Sequence, residues 1–403
     1  MESLKSILKI GNGPSSSHTM GPVYASNIFL KKNINATSFR VELYGSLAMT
    51  GRGHLTDVSI LNVLGDYRTT IEFHPEISYE YHNNGMKFFA YVDGKEVDSW
   101  LVFSVGGGLL KELDEPREKS LREVYPHNTM EDILKYIKKN NMSLVDYVKA
   151  FDDSDIMDYL DLIFHTMEET IIRGINSNVI LPGSLHLERK AKSLYQKYID
   201  TKDFNTLLFA LTLAVAEENA SGGKLVTTPT CGSAGVLPGV LFTEYYYNKV
   251  SKEKIIEAIA IAGLICDIVK TNASISGAEV GCQGEVGVAC AAASAALTYL
   301  KGGSPSYIEY ASEIALEHHL GMTCDPIDGL VQIPCIERNA MAASFAYAAS
   351  SYALLSTSSH YVSLDSIIEV MAETGRDIHT KYKETSTGGL ALRAKKNNGY
   401  SNC

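Results

Sequence analysis

The sequence predicts a multidomain α and β protein, with a small, β-rich N-terminal α/β domain followed by a larger all-α domain. Three observations lead there. Short segments of alternating apolar and polar residues, punctuated by Gly, Asn and Asp, dominate as far as residue 130. Beyond that point the apolar residues recur at helical spacing over long stretches. A chain of 403 residues is also longer than one hydrophobic core normally spans. We therefore expect domains at residues 1–130 and 131–403.

In chain order, the expected strands are FRVELYGSLA, YRTTIEFHP, ISYEYH, MKFFAYVDG and SWLVFSVGGG. YPHNT, with His127 and Asn128, reads as the linker between domains. Helical periodicity then runs through MEDILKYIKKNN, LVDYVKAF, IMDYLDLIFHTMEETIIRGI, LERKAKSLYQKYI, NTLLFALTLAVAEENA and KEKIIEAIAIAGLICDIVK. It continues in VGVACAAASAALTYL, PSYIEYASEIALEHHL, AMAASFAYAASSYALL and LDSIIEVMAETGRDIHTKY. The acidic tract DDSDIMD falls between two of these and reads as a loop and helix start. No fixed-period repeat or low-complexity tract is visible.

Composition narrows the function classes. A hydrophobic share of 45% with 21% charged residues is that of a globular chain. The formal charge of −11 argues against a nucleic-acid partner, which calls for clustered Lys and Arg. MESLKSILKIGNG lacks the basic-then-apolar pattern of a leader, and no apolar run approaches the ~20 residues that span a bilayer. A cytoplasmic protein with no membrane partner is expected. Seven cysteines without regular spacing do not make a disulfide framework.

Those cysteines divide by context. Cys266 in GLICDIV and Cys290 in GVACAAASAA look like small buried hydrophobes. Cys282 in SGAEVGCQGEVG, Cys324 in HHLGMTCDPIDG, Cys335 in VQIPCIERN and the final residue Cys403 sit among Gly, Pro and polar residues, which suits metal ligation. Nearby backbone N–H groups could hydrogen-bond their sulfurs, as they do around iron–sulfur clusters. No CxxC pair occurs, so a closed zinc site is disfavoured. Spacing alone leaves cluster ligands and paired or incidental thiols both open.

Two N-terminal loops carry further candidates. GNGPSSSHTMGP places Ser15, Ser16, Ser17, His18 and Thr19 at a helix start, where hydroxyls and N–H groups can hold an anion such as a carboxylate. An ordinary N-cap explains one serine of the three. GSLAMTGRGHLTD sets His54 near Asp57, which could orient it for proton abstraction. Further polar loops interrupt the helices at LPGSLHLERKA, NASGGKLVTTPTCGSAGVLPG, EHHLGMTCDPIDGLVQIPCIERNA and ETGRDIHTKYKETSTGGLA.

GPSSSHT, GRGHLTD, GGKLVTTPT, GSAGVLPG, the two-cysteine block and YKETSTGGLA together resemble the single-chain, iron–sulfur-dependent bacterial L-serine dehydratases, over essentially the whole length. The resemblance implies a [4Fe-4S] cluster on Cys282, Cys324 and Cys335, with Cys403 capping the fourth iron until substrate displaces it. It further implies His54 as base, and His18 with Ser15, Ser16, Ser17 and Thr19 around a small amino-acid substrate. A homodimer is expected on the same grounds. Residues 60–130 are shorter than that family's β domain, and Cys231 in TPTCGSAG reads as a nearby polar-loop thiol.

Three rivals follow from the same residues. A pyridoxal phosphate lyase would need Lys224 and the glycines Gly106 to Gly108, which sit in unlike contexts. A related iron–sulfur lyase could act on L-cysteine, L-threonine or another β-substituted amino acid. A non-catalytic sensor built on the β domain has no use for three ligating thiols and a loop histidine.

Overall fold

The computed structural model describes residues 1–105, 107–113 and 123–396; Gly106 and Cys403 lie outside the described residues. The strands are β1 (Ile10–Asn12), β2 (Ser38–Tyr44), β3 (Thr69–His74), β4 (Gly85–Val92), β5 (Lys95–Ser104), β6 (Leu110–Lys111) and β7 (Lys224–Val226). Alternation along β2 places Phe39, Val41 and Leu43 on one buried face. The five-stranded sheet runs β3-β2-β4-β5-β6; β2 and β3 are parallel and every other neighbouring pair is antiparallel. Asp93 and Gly94 both take positive φ, the two-residue turn that matches strand twist, and close the β4–β5 hairpin.

Helices Gly21–Lys32 and Thr56–Leu64 cover the apolar face of this sheet. Ala25, Phe29, Ile60 and Leu64 pack there with Val41, Leu43, Phe88 and Val102. ISYEYH, expected as a strand, is a loop instead. Its Tyr79 and Tyr81 rings meet Phe103 edge-on, with centroids at 5.3 and 5.1 Å, so its aromatics cap the sheet's end.

The larger unit is helical, as its periodicity predicts. Val286–Leu300 is apolar on every side, which demands full burial. Its alanines let the helices Lys252–Asn272, Pro305–Glu317 and Cys335–Leu355 pack closely around it. Cys266 and Cys290 are fully buried in this core, as expected. Two features break the simple division. Met1, Leu4, Ile7 and Leu8 enter the helical core, and β1 pairs antiparallel with β7, Ile10 opposite Val226. The N-terminal segment thus anchors on the helical unit before the chain departs for the sheet. The SSSHT loop begins at that point of departure.

His127 Nδ1 pairs with the Tyr147 hydroxyl at 3.0 Å, and Asn128 Oδ1 accepts from the terminal ammonium at 3.1 Å. No described helix is long and apolar enough to cross a membrane.

Candidate functional site

Loops from both halves of the chain converge on one small cavity. Its walls include Ser15 and His54 from the N-terminal loops, Cys282, Cys324 and Cys335 from the helical unit, and Glu384 from YKETSTGGLA. Each is delivered by identifiable local structure. Gly13 N donates to Gly223 O at 3.1 Å, and Asn219 Nδ2 donates to Pro14 O at 3.0 Å, so the serine loop is pinned to the helical unit. Ser15 Oγ then caps the wide turn Ser16–Met20 by accepting from His18 N at 3.1 Å.

The hydroxyls of that loop are engaged both within it and with neighbouring segments. Ser16 Oγ accepts from Cys231 N at 2.9 Å, while Ser17 Oγ meets His18 Nδ1 at 2.9 Å. Thr19 Oγ1 accepts from Ser15 N at 3.1 Å and donates to His54 O at 2.8 Å, so it ties the two histidine loops together. Of the four hydroxyl residues picked from sequence, Ser15 lines the cavity, and the others hold the loop's shape.

His18 and His54 lie side by side, ring centroids 4.5 Å apart, both fully buried. His18 Nε2 meets Ser46 Oγ at 3.0 Å. His54 Nδ1 meets Thr50 Oγ1 at 3.0 Å, and that hydroxyl donates to Ser46 O at 3.0 Å. Thr50, not Asp57, therefore orients His54, correcting the sequence expectation. The physical reason is a left-handed residue at Leu55, φ 55°, which starts the helix Thr56–Leu64 and turns Asp57 into its first turn. There Asp57 Oδ1 accepts from Val58 N at 2.9 Å.

His54 Nε2 is buried without a hydrogen-bond partner and borders the cavity. Glu384 Oε1 stands 3.7 Å from this nitrogen and 3.7 Å from His18 Nδ1. Burial pushes the His54 imidazole down to about 4. Burial and the neighbouring His54 push His18 well below the usual histidine range. Burial, with Glu285 and Cys282 nearby, pushes the Glu384 carboxyl well above its usual range. The histidines are accordingly neutral near pH 7.

The three thiols sit opposite. A hydrogen bond with Cys282 and burial push Cys324 up; burial and the Cys282 charge do the same to Cys335. Glu285, held by Thr230 Oγ1 at 2.7 Å, reaches Cys282 Sγ at 4.0 Å, and burial raises it to about 7. Ligand atoms of Cys282, Glu285 and Cys324 all fall within 4.8 Å of one another. Thiol donors crowded beside a carboxylate, with the single guanidinium of Arg338 at their edge, fit a bound metal centre. A Cβ at Gly277 would stand 3.2 Å from Cys324 Sγ and 2.7 Å from Glu285 Oε2, so glycine keeps this space open. Arg338 is within hydrogen-bonding reach of Cys282 and donates from Nη1 to Thr323 O at 2.6 Å. Asn339 braces Cys335: Nδ2 donates to Cys335 O and Gly232 O at 2.8 Å, and Oδ1 accepts from Gly235 N at 2.9 Å.

Sequence reading missed Glu384, Glu285, Ser46, Thr50 and Arg338. Glu285 and Arg338 each follow a ligating-type cysteine by one helical turn, which was the available signal. Glu384 could not be paired with the histidines from spacing. The link is a backbone exchange in which Cys324 N donates to Tyr382 O at 2.7 Å and Glu384 N donates to Cys324 O at 2.8 Å. Cys231 stays apart from the three thiols, buried beside Met20, its thiol pushed up by burial to about 12. Lys224 is exposed on β7.

Known proteins resemble this chain along nearly its full length. The family model described as serine dehydratase alpha chain matches residues 88–391, and that described as serine dehydratase beta chain matches residues 3–68. The chain is 40% identical to the L-serine dehydratase of Streptomyces coelicolor, covering 96% of this chain and 97% of that protein. It is 39% identical to the L-serine dehydratase of Haemophilus influenzae, covering 98% and 99%. It is 37% identical to L-serine dehydratase 1 of Escherichia coli, covering 98% and 100%. On this likeness across nearly the full length, the chain belongs to the serine dehydratase family, with alpha-chain and beta-chain regions fused in one polypeptide.

Proposed function

We propose that this chain is an L-serine ammonia-lyase that converts L-serine to pyruvate and ammonia by α,β-elimination of water. Cys282, Cys324 and Cys335 would hold a [4Fe-4S] cluster, and Cys403 would cap its remaining iron in the resting enzyme. When bound, the cluster supplies Lewis-acid assistance to the departing hydroxide. The observation that carries the reading is the unpartnered Nε2 of buried His54, facing the cavity of the three thiols.

His54 takes the Cα proton through that nitrogen, which its low protonation range keeps free at neutral pH. The C–H electron pair forms the Cα–Cβ double bond, and the β-hydroxyl leaves and is protonated to water. The released aminoacrylate tautomerises and hydrolyses in solution. Glu384, in reach of both rings, passes protons between His54 and His18. The SSSHT loop with Ser15, Ser16, Ser17 and Thr19 closes the substrate side, and the tight packing excludes water.

Residues 1–130 and 131–403 are taken as the two domains, the first twelve residues docking on the second. The protein is taken to be a cytoplasmic homodimer, with a small amino acid as its ligand and neither nucleic acid nor membrane as partner. L-threonine and L-cysteine are the competing substrates, because the same machinery eliminates other β leaving groups. An anaerobic assay of the three amino acids side by side decides: serine should give the highest kcat/KM. His54→Ala should abolish pyruvate formation with iron and sulfide content unchanged. Undiminished turnover would remove His54 as the base.

A further inference from the structure

Beside the three thiols, a second set of ligating atoms is gathered. One nitrogen from each of His18 and His54 and a carboxylate oxygen of Glu384 lie within 4.8 Å of one another, and all three residues are buried. Glu384 Oε1 is 3.7 Å from His18 Nδ1 and 3.7 Å from His54 Nε2. These separations are too long for hydrogen bonds, so the carboxylate meets both rings without bonding either.

Neighbouring hydroxyls fix which ring nitrogens carry lone pairs. The Thr50 hydroxyl donates to Ser46 O at 3.0 Å, so toward His54 Nδ1, also 3.0 Å away, it can only accept. His54 therefore holds its proton on Nδ1 and presents a lone pair at Nε2, which is buried without a hydrogen-bond partner. The Ser46 hydroxyl donates to Glu384 O at 3.3 Å and accepts from His18 Nε2 at 3.0 Å. His18 thus presents its lone pair at Nδ1. The Ser17 hydroxyl meets that nitrogen at 2.9 Å, and it can turn instead to Ser15 Oγ, 3.3 Å away. Metal-binding histidines are held in this way, the far N–H given to a fixed acceptor so that the other nitrogen points at the ion.

Two imidazole lone pairs and one carboxylate suit a divalent first-row cation, zinc above all. Ligand atoms about 2.0–2.1 Å from a tetrahedral zinc stand about 3.4 Å apart, so separations of 3.7 Å need close by only a few tenths of an ångström. We propose that His18, His54 and Glu384 form a binding site for one zinc-class divalent cation, distinct in its ligands from the three thiols. His54 and Glu384 both line the cavity, so the remaining coordination position faces it. An ion there takes up the Nε2 lone pair and acts as an inhibitor. The binding stands on the geometry alone; the inhibition rests on His54 serving as the base, as proposed above.

The test is X-ray absorption at the zinc edge on full-length protein purified without oxygen and titrated with zinc chloride, with magnesium chloride as the hard-cation control. The method reads zinc alone, whatever iron the protein carries. One tightly held zinc per chain is expected, with nitrogen and oxygen neighbours, no sulfur, and iron content unchanged. Turnover should fall in step with occupancy and return when a chelator removes the ion. His54→Ala and the conservative Glu384→Gln should each weaken zinc binding by about tenfold or more. The Cys282→Ser, Cys324→Ser, Cys335→Ser triple variant should still bind zinc through nitrogen and oxygen. Sulfur neighbours in protein of full iron content, or zinc affinity unchanged in both His54→Ala and Glu384→Gln, would overturn the proposal. Zinc held by nitrogen and oxygen with turnover unimpaired would uphold the site and instead remove His54 as the base.

Discussion

Gly53→Ala places one methyl group where the two halves of the site touch. The new Cβ would stand 2.6 Å from the Gly329 carbonyl oxygen, 2.8 Å from Gly329 C and 3.0 Å from Asp328 O. These are backbone atoms of the turn between Cys324 and Cys335, so no side chain can swing aside. Overpacking of this kind costs about 1–3 kcal/mol. Spread over a chain of 403 residues, that lowers Tm by about 1–4 °C, a change the fold survives. The next residue is His54, however, and displacing a reacting group by about 1 Å costs on the order of 100-fold in rate. The expected result is a nearly normal melting curve and normal iron content, with pyruvate formation down by about two orders of magnitude. Anaerobic initial rates beside calorimetry and iron analysis read all three. Full turnover in Gly53→Ala would refute the idea that the GRGHLTD loop is held in place by the cysteine-bearing turn.

Glu384→Gln keeps the shape of the site but removes the proton carrier between the rings, so kcat should fall about 10- to 100-fold with little change in KM; an unchanged kcat would exclude the relay. Asn339→Ala removes the hydrogen bonds to Cys335 O, Gly232 O and Gly235 N and strands buried backbone groups, costing about 2–4 kcal/mol in denaturant melts; a loss below about 0.5 kcal/mol would show that these bonds carry little load. The folded state holds His54 near 4 and His18 below its ordinary value, while the unfolded chain binds those protons near 6.5. Stability should therefore fall as pH drops from about 6.5 toward 4, by up to about 1.4 kcal/mol per pH unit for each ring, and be flat with respect to these groups above 7. Asp267 behaves oppositely: burial raises it to about 7 and leaves both oxygens without partners. Asp267→Asn should stabilise the protein more at pH 8 than at pH 5, and an equal effect at both values would show that Asp267 is neutral throughout.

Much of this was legible in the sequence because period and context are local signals. Alternation set the buried face of β2, and uniform apolarity marked Val286–Leu300 as a central helix. The surroundings of Cys266 and Cys290 separated core thiols from the three that line the cavity. ISYEYH misled because its alternating aromatics pack on Phe103 from a loop, and periodicity does not distinguish that from a strand. Asp57 misled in a related way. Closeness in sequence suggested a partner for His54, but the left-handed Leu55 carried Asp57 away and a residue one helical turn earlier, Thr50, took its place. Glu384 was beyond reach because the contact joining it to His18 and His54 spans the whole chain and depends on the backbone pairing around Cys324. Local patterns reported which loops were too polar to be structural; long-range packing decided which side chains met.

The most direct test of the central claim is elemental analysis of protein purified without oxygen, combined with its visible spectrum. The account predicts a brown protein with iron and inorganic sulfide at [4Fe-4S] stoichiometry, lost together in a Cys282→Ser, Cys324→Ser or Cys335→Ser variant. A colourless preparation without sulfide that still turns over serine would contradict it.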